Sequence, residues 1–415
     1  MVTPKRRRDY VYMTAKSLTT EQAGSQNGSE IHTGSNNLFS FTQHGFIPNR
    51  SCVTNMLIFM DSLTEAKYNG LISDSTSFDF AKAFDRIPHG PLKHELEAYG
   101  IQGEVLSWIA SFLDNRTFRV NTGSDLPSPS FISAGVPQGS VLGPSNVLLY
   151  ADDLKVCNST DPTALQIDLD AIESWSDDWS LPLNDNNCVH MSLGGDSDNA
   201  FMIHSASDTV DIMRIDLKKD MRIWLSSNLS VTYHHEMAAK RGFAALMMIK
   251  RTFPRMDKKA FQTHYGIFIR PLLEYANQVV YNGLKREILA VERVQRAATK
   301  MVAGLSNVTY KSRLEILDLY PLEFRRLRGD LILTHFFSRG GLAEQFFTVA
   351  NDDGRRGHNR KVFKRRPRTF LRQQFFSCRV INYWNSLPSE VVSSASMDRF
   401  KALLDSHSTQ IALCE

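Results

Sequence analysis

Asp152 and Asp153 stand side by side in Tyr150-Ala151-Asp152-Asp153. An apolar run, Val147-Leu148-Leu149, precedes them, and a partly apolar one, Leu154-Lys155-Val156-Cys157, follows. Two such runs around a short polar tip predict a β-hairpin with the acidic pair at or near its turn. Neighbouring carboxylates repel unless a cation lies between them. Oxygen-only ligands suit a hard ion, Mg²⁺ first, which takes one or two carboxylates together with substrate phosphates. Such a site serves phosphoryl or nucleotidyl transfer; the plain alternative is an acidic turn that holds no ion. A third carboxylate, Asp79, lies in Phe78-Asp79-Phe80-Ala81-Lys82-Ala83-Phe84-Asp85. A strand ending at Asp79 would offer that side chain to a metal and send Asp85 elsewhere. Between these strings runs Gly135-Val136-Pro137-Gln138-Gly139-Ser140. Its glycines allow close backbone approach to a ligand, and the Gln138 amide can both donate and accept.

The elements that must position these residues are readable in outline. Ser51 can cap a helix with apolar positions at Val53, Met56, Leu57, Met60, Leu63 and Ala66, and Gly70 stops it. Pro91–Tyr99 and Val105–Leu113 read as short helices split by Gly100 and Gly103, and Phe118 begins an alternating strand. The run into Asp79, Ser73-Asp74-Ser75-Thr76-Ser77, is polar. A strand buried on both faces is mostly apolar, so weak packing is expected here. Asp161-Pro162 is a helix cap with a first-turn proline. The stripe Leu165, Leu169, Ile172, Trp175, Trp179 that follows is core packing. Leu183-Asn184 leads to a strand around Cys188 and Met191. Further on, helices are expected over His235–Phe253, Asp257–Val280 with a break at Pro271, Arg286–Val302, Tyr310–Phe337 and from Met397 to about Ser406.

The chain has 415 residues, 42% of them apolar, and a net charge of +4. That length leaves room for two or three domains. The basic residues cluster: Lys5-Arg6-Arg7-Arg8 at the start, and a later group that includes Arg360, Lys361, Lys364, Arg365, Arg366 and Arg368. Such clusters suit a phosphate-rich partner or form a solvated linker. No cysteine pair has zinc-ligand spacing, and the five cysteines form no disulfide framework. No apolar signal core or membrane-length run is present, so an intracellular setting, nuclear or cytoplasmic, is expected, with no membrane partner. Residues 1–40 show no helix or strand period and read as a disordered basic and polar segment.

Taken in order, these strings resemble the reverse transcriptases of non-LTR retrotransposons, the LINE and jockey-like group. Gln43-His44-Gly45-Phe46 with Arg50-Ser51-Cys52, the Asp79–Asp85 string, Gly135 through Pro144 and Tyr150–Asp153 carry the resemblance. Ile269-Arg270-Pro271-Leu272-Leu273-Glu274-Tyr275, Glu292–Lys300, Arg325–Asp330 and Asn382–Pro388 extend it to about residue 405. The resemblance implies an α+β fold: a right-hand polymerase palm with partial fingers, then a mostly helical thumb-like and C-terminal region. The domains would run 1–40, 41–200 (partial fingers and palm), 201–345 (thumb-like connector), 346–380 (basic linker) and 381–415 (C-terminal tail). It implies an RNA-directed DNA polymerase using two Mg²⁺ (or Mn²⁺) ions on Asp79 and Asp152, with Asp153 assisting. Its partners would be an RNA template, a DNA primer and deoxynucleoside triphosphates. Phe80, Phe84 and Gln138 would lie at the nucleotide. Phe84 would exclude a ribose 2′-hydroxyl by clash, or else be a core phenylalanine. Asp85 would serve a local role such as capping.

Departures from the family set a second expectation. Only Ser145-Asn146-Val147-Leu148-Leu149 separates Pro144 from Tyr150. Five residues make little more than one helical turn, where the family places both a helix and a loop. The family's lysine before the cysteine of its Asn-x-x-Lys-Cys string is Asn187 here, which cannot act as a cationic acid. The basic residues that grip the triphosphate from the fingers are not recognisable in residues 1–40. Weak or absent polymerisation is therefore expected. The alternative is a non-enzymatic nucleic-acid-binding remnant, or a decayed product that does not fold stably.

Overall fold

The computed structural model describes residues 44, 49–98, 100–119, 128–136, 149–150, 153–158, 161–204, 209–340, 342–350 and 358–412. They divide into two compact units, one drawn from 1–51, Asp74–Met191 and Asp198–Arg214, the other from Cys52–Ser73, Ser192–Ser197 and the chain from Ile215 onward. The fold is a mixture of helix and sheet, as expected for the α+β class.

The first unit is organised on a sheet. Strands are β1 (Ser73–Phe78), β2 (Thr117–Phe118), β3 (Ser130–Phe131), β4 (Leu149–Tyr150), β5 (Asp153–Asn158), β6 (Val189–Leu193), β7 (Met202–His204), β8 (Thr209–Asp211) and β9 (Met213–Arg214). The main sheet has the order β4-β5-β1-β6-β9. β4 and β5 form the hairpin read from the sequence, with Leu149 opposite Leu154 and Tyr150 opposite Asp153. β1 runs antiparallel to β5, from Asp74 opposite Asn158 to Phe78 opposite Leu154. Helix Pro162–Asp178 starts on Asp161, whose carboxylate accepts from Thr163 N and Ala164 N at 2.9 and 3.2 Å, with Pro162 in the first turn. Its Leu165, Leu169 and Ile172 join Phe78, Phe80, Leu154 and Phe201 in one core, with Trp175 and Trp179 packed against it.

The polar run of β1 differs from expectation. All six of its residues are buried. Asp74 accepts from His190 Nε2 at 3.0 Å and from Asn199 Nδ2 at 2.7 Å. Small serines fill the central position, and side chains from β6 and the following loop meet the buried charge. A buried polar group that finds its partner avoids most of the desolvation penalty.

The second unit is mainly helical. Helix Cys52–Tyr68 stops before Gly70, which takes φ +76°. Strands β10 (Leu217–Asp220) and β11 (Ile223–Ser226) form a hairpin ahead of helix Thr232–Thr252. The expected break at Pro271 is resolved as a change of helix type. Lys258–His264 is α-helical, Tyr265–Ile269 is a π turn, and Arg270–Glu274 resumes the α form with the proline in its first turn. Proline has no N–H and its ring crowds the carbonyl four residues back, so the wider turn relieves both. Helices Lys285–Thr299 and Tyr310–Leu317 follow. Asp318, at φ +56°, then separates Tyr310–Leu317 from Leu322–Gly340, where a single helical region was expected.

Family-like strings supply this unit's internal ties. Gln295 is fully buried, accepts from Tyr265 Oη at 2.5 Å, and donates to Tyr310 Oη at 2.9 Å and Tyr320 O at 3.0 Å. Arg325 pairs with Glu274 at 2.5 Å, and Arg379 with Asp330 at 2.8 Å. The stretch expected as a basic linker holds helices Phe370–Gln374 and Phe376–Arg379. Within it, Arg372 is buried against Thr64 and pairs with Asp61 at 2.7 Å and with Glu65. Its positive charge is consumed inside the protein.

Candidate active site

Asp79 follows directly on the last residue of β1. Because Phe78 stands opposite Leu154, carrying the antiparallel register one residue further sets Asp79 across from Asp153, the first residue of β5. The sequence-predicted strand end and hairpin thus meet at one end of the main sheet. Asp152 and Gln138 lie outside the described residues, as does the side chain of Asp153.

Two asparagines hold Asp79. Asn184 Nδ2 and Asn187 Nδ2 donate to the same carboxylate oxygen at 3.1 and 2.7 Å, and Asn184 N donates to the Asp79 backbone carbonyl at 2.8 Å. A 3₁₀ turn at Asp185–Asn187 explains the pairing. Residues three apart eclipse in that geometry, so both amides come to one side. Sequence reasoning saw in Asn187 only a missing lysine; the signal it passed over was the Asn-x-x-Asn spacing itself.

The Gly135 turn docks on the segment after Asp79. Gly135 N donates to Ile87 O at 2.8 Å, and Val136 N to Phe84 O at 2.7 Å. The Gly135 carbonyl accepts from Arg116 and from His89 Nε2, the latter at 2.9 Å. Gly135 has φ +88°, and a Cβ there would lie 2.6 Å from Asp85 O. Only glycine fits. Phe84 is half-buried against the core. Phe80 is 5% exposed and meets Trp175 edge-on at 5.7 Å, so its ring fills the core instead of standing free for a ligand.

Among the described residues no group of three or more His, Cys, Asp or Glu side chains could hold a metal; that set leaves out Asp152. The donor chemistry of the positions present still suits a hard cation. Asp79 is partly exposed, its second oxygen has no hydrogen-bond donor among the described residues, and β5 begins at an aspartate.

The basic residues lie in the second unit. Lys364, Arg365, Arg366 and Arg368 are exposed, and Arg360 is too. The segment that carries them is stapled by the Asn382–Pro388 string. Trp384 Nε1 donates to Arg360 O at 2.9 Å, and Asn385 exchanges bonds with Val362 N and O at 2.9 and 2.8 Å. Lys361 is half-buried, with its carbonyl bonded to Ala350 N at 2.9 Å.

Residues 28–147 match the family described as reverse transcriptase (RNA-dependent DNA polymerase). The match opens ahead of Gln43 and closes just before Leu148 and the hairpin. Among curated proteins, the RNA-directed DNA polymerase from mobile element jockey of Drosophila funebris is 30% identical over 179 residues, covering 36% of this chain and 19% of that protein. Its Drosophila melanogaster counterpart is 28% identical over 157 residues, covering 31% of this chain and 17% of that protein. The probable RNA-directed DNA polymerase from transposon X-element of Drosophila melanogaster is 30% identical over 112 residues, 27% of this chain and 12% of that protein. The matched stretches span less than a fifth of each relative. They bear out the expected likeness to reverse transcriptases of non-LTR mobile elements. Among the described residues no helix is long and apolar enough to cross a membrane.

Proposed function

We propose that this chain carries the palm of a non-LTR retrotransposon reverse transcriptase, arranged to extend a DNA 3′ end on an RNA template with deoxynucleoside triphosphates. The observation that carries this reading is the β1–β5 register, which runs to Phe78 opposite Leu154, the residues next to Asp79 and Asp153. In the reaction the primer 3′-oxygen gives up its proton and bonds to the α-phosphorus, and the bond to pyrophosphate breaks. Divalent ions, Mg²⁺ by preference, would be held by Asp79, Asp152 and Asp153 and would supply the positive charge that such in-line displacement needs. Asn184 and Asn187 fix the Asp79 carboxylate so that one oxygen stays available. Gly135 and Val136 clamp the segment bearing Phe84, whose ring would exclude a ribose 2′-hydroxyl. Gln138 would contact the incoming nucleotide or template. The partial fingers and palm would occupy 41–200, and the helical residues 201–345 a thumb-like region. The exposed cations from Arg360 to Arg368 would hold nucleic acid.

Primer extension on a primed RNA, run beside Mn²⁺ binding read by electron paramagnetic resonance, tests the reading. The expected outcome is weak extension, since only Ser145–Leu149 separate the Gly135–Pro144 string from Tyr150, and Mn²⁺ binding that is lost in Asp79→Asn. Mn²⁺ binding unchanged in both Asp79→Asn and Asp152→Asn would overturn it.

A further inference from the structure

The second unit contains a cavity of about 900 Å³ whose wall is both cationic and aromatic. Helix Leu322–Gly340 contributes Phe324 and Arg326, the basic segment contributes Lys364, Arg365 and Arg366, and helix Ile381–Ser386 contributes Tyr383. Arg326 is 3% exposed, and its Nε and Nη2 have no hydrogen-bond partner among the described residues. Asp330, the buried carboxylate of the same wall, is already bonded through both oxygens to Arg379, at 2.8 and 3.0 Å. Arg379 thus takes up that charge, Arg326 keeps its own unmatched, and the wall keeps a positive excess. Lys364 and Arg366 are exposed and make no ion pair or hydrogen bond among the described residues. Among the described residues Arg365 pairs with Glu65 alone, at 3.9 Å. Glu323 is the remaining acid of the lining.

The aromatic side of the wall is of a different kind from a core. Phe324 is half-buried and stacks on Tyr320 at 4.8 Å, and Tyr383 is 52% exposed. Free cations beside accessible ring faces are what a single nucleic-acid strand requires. Its phosphates need charge, and its unpaired bases need flat apolar surfaces. A duplex offers the same phosphates but keeps its base faces stacked inside, so the rings would gain nothing from it.

We propose that this cavity is a binding site for single-stranded nucleic acid, with backbone phosphates on Lys364, Arg365 and Arg366 and a base against Tyr383. The site rests on the polymerase reading only for the source of the strand, an unpaired stretch of template or primer.

The experiment measures binding of fluorescently labelled oligo(U) and oligo(dT) to the full chain by anisotropy, with chelator present and no nucleotide. Unlabelled duplex and inorganic polyphosphate serve as competitors. The expected result is that Tyr383→Ala weakens oligonucleotide binding on the order of tenfold. Lys364→Ala with Arg366→Ala should weaken it and flatten the dependence of log affinity on log salt by about 1.4, at about 0.7 per phosphate contact. Lys258→Ala with Lys259→Ala, exposed cations that do not line the cavity, should leave binding unchanged. A preference for oligo(U) over oligo(dT) marks an RNA strand as the ligand, and the reverse a DNA strand; either supports the site. Competition by polyphosphate or duplex as strong as by the oligonucleotides, or full binding in Tyr383→Ala, shows a surface that reads charge alone and overturns the proposal. So does the absence of binding at low salt. Because chelator removes metal, failure of the polymerase reading leaves these results intact.

Discussion

Arg379→Met should cost this protein about 3–5 kcal/mol, the range for stripping one partner from a buried ion pair. Arg379 is 10% exposed and Asp330 5%. The guanidinium donates to both Asp330 oxygens and also to Tyr281 O, Gln374 O and Gln278 O at 3.2, 2.8 and 3.1 Å. Methionine preserves much of the volume and removes every one of those donors. Burial already pushes the Asp330 carboxyl above its ordinary range, and Arg379 opposes that push. Without the arginine the folded-state value rises further. A carboxyl with a raised folded value binds its proton more readily folded than unfolded, so folding stability falls as pH climbs through that window. The deficit of the variant relative to the parent should therefore be largest at neutral pH and shrink on acidification. Urea unfolding followed by circular dichroism at pH 7.5 and pH 5 reads both effects, against a total of about 5–15 kcal/mol for an ordinary domain. Arg379→Met with Asp330→Leu should regain part of the loss, because an apolar pair of similar size leaves no orphan charge, while the three carbonyls stay without their donor. A deficit under about 1 kcal/mol, a deficit that grows on acidification, or a double variant no more stable than the single one refutes the reasoning.

Gly135→Ala should destabilise the first unit by about 1–2 kcal/mol from backbone conformation alone, and more from the clash with Asp85 O; thermal unfolding checks it. His234 is buried, its Nδ1 faces Trp224 N at 3.4 Å, and burial pulls its pKa down to about 4. A depressed histidine means that the unfolded chain takes the proton first. Stability should then drain away as pH falls from about 6.5 towards 4, by ~3 kcal/mol at the lower end, and His234→Gln should flatten that dependence in urea titrations. Asn187→Ala should weaken Mn²⁺ binding by roughly tenfold or more, the usual effect of losing a residue that orients a ligand. Unchanged resonance titrations would show that Asn184 alone suffices.

The hairpin around the acidic pair, the cap at Asp161 and the core stripe of the following helix were legible because each is local. A turn, a cap and a 3.6-residue period are written within a few residues of one another. The β1 strand was misjudged because its burial rests on residues far along the chain. His190 and Asn199 satisfy Asp74, and nothing within Ser73–Ser77 announces them. The basic group around residues 355–372 was half readable. Composition showed its charge, but composition does not reveal that Arg372 turns inward to Asp61 and Glu65. Asn187 was noticed as a departure from the family, while its partner Asp79 lies 108 positions away. Long-range polar pairing is specified by geometry that only the assembled sheet supplies.

A polar central strand also has a consequence for how the sheet finds its alignment. In most buried strands the hydrophobic face dictates pairing, since slipping by one residue throws every side chain to the wrong side. Ser73 to Ser77 carry no such preference. Sliding that run past its neighbours would exchange one small hydroxyl for another at little cost. Two features resist the slide: Phe78 at the end, and Asp74, which meets His190 and Asn199 in only one alignment. The buried acid at the start of β1 thus acts as a detent for the carboxylate at its finish. A slip of one position would turn Asp79 to the opposite face of the sheet, with every hydrophobic contact outside the strand still in place.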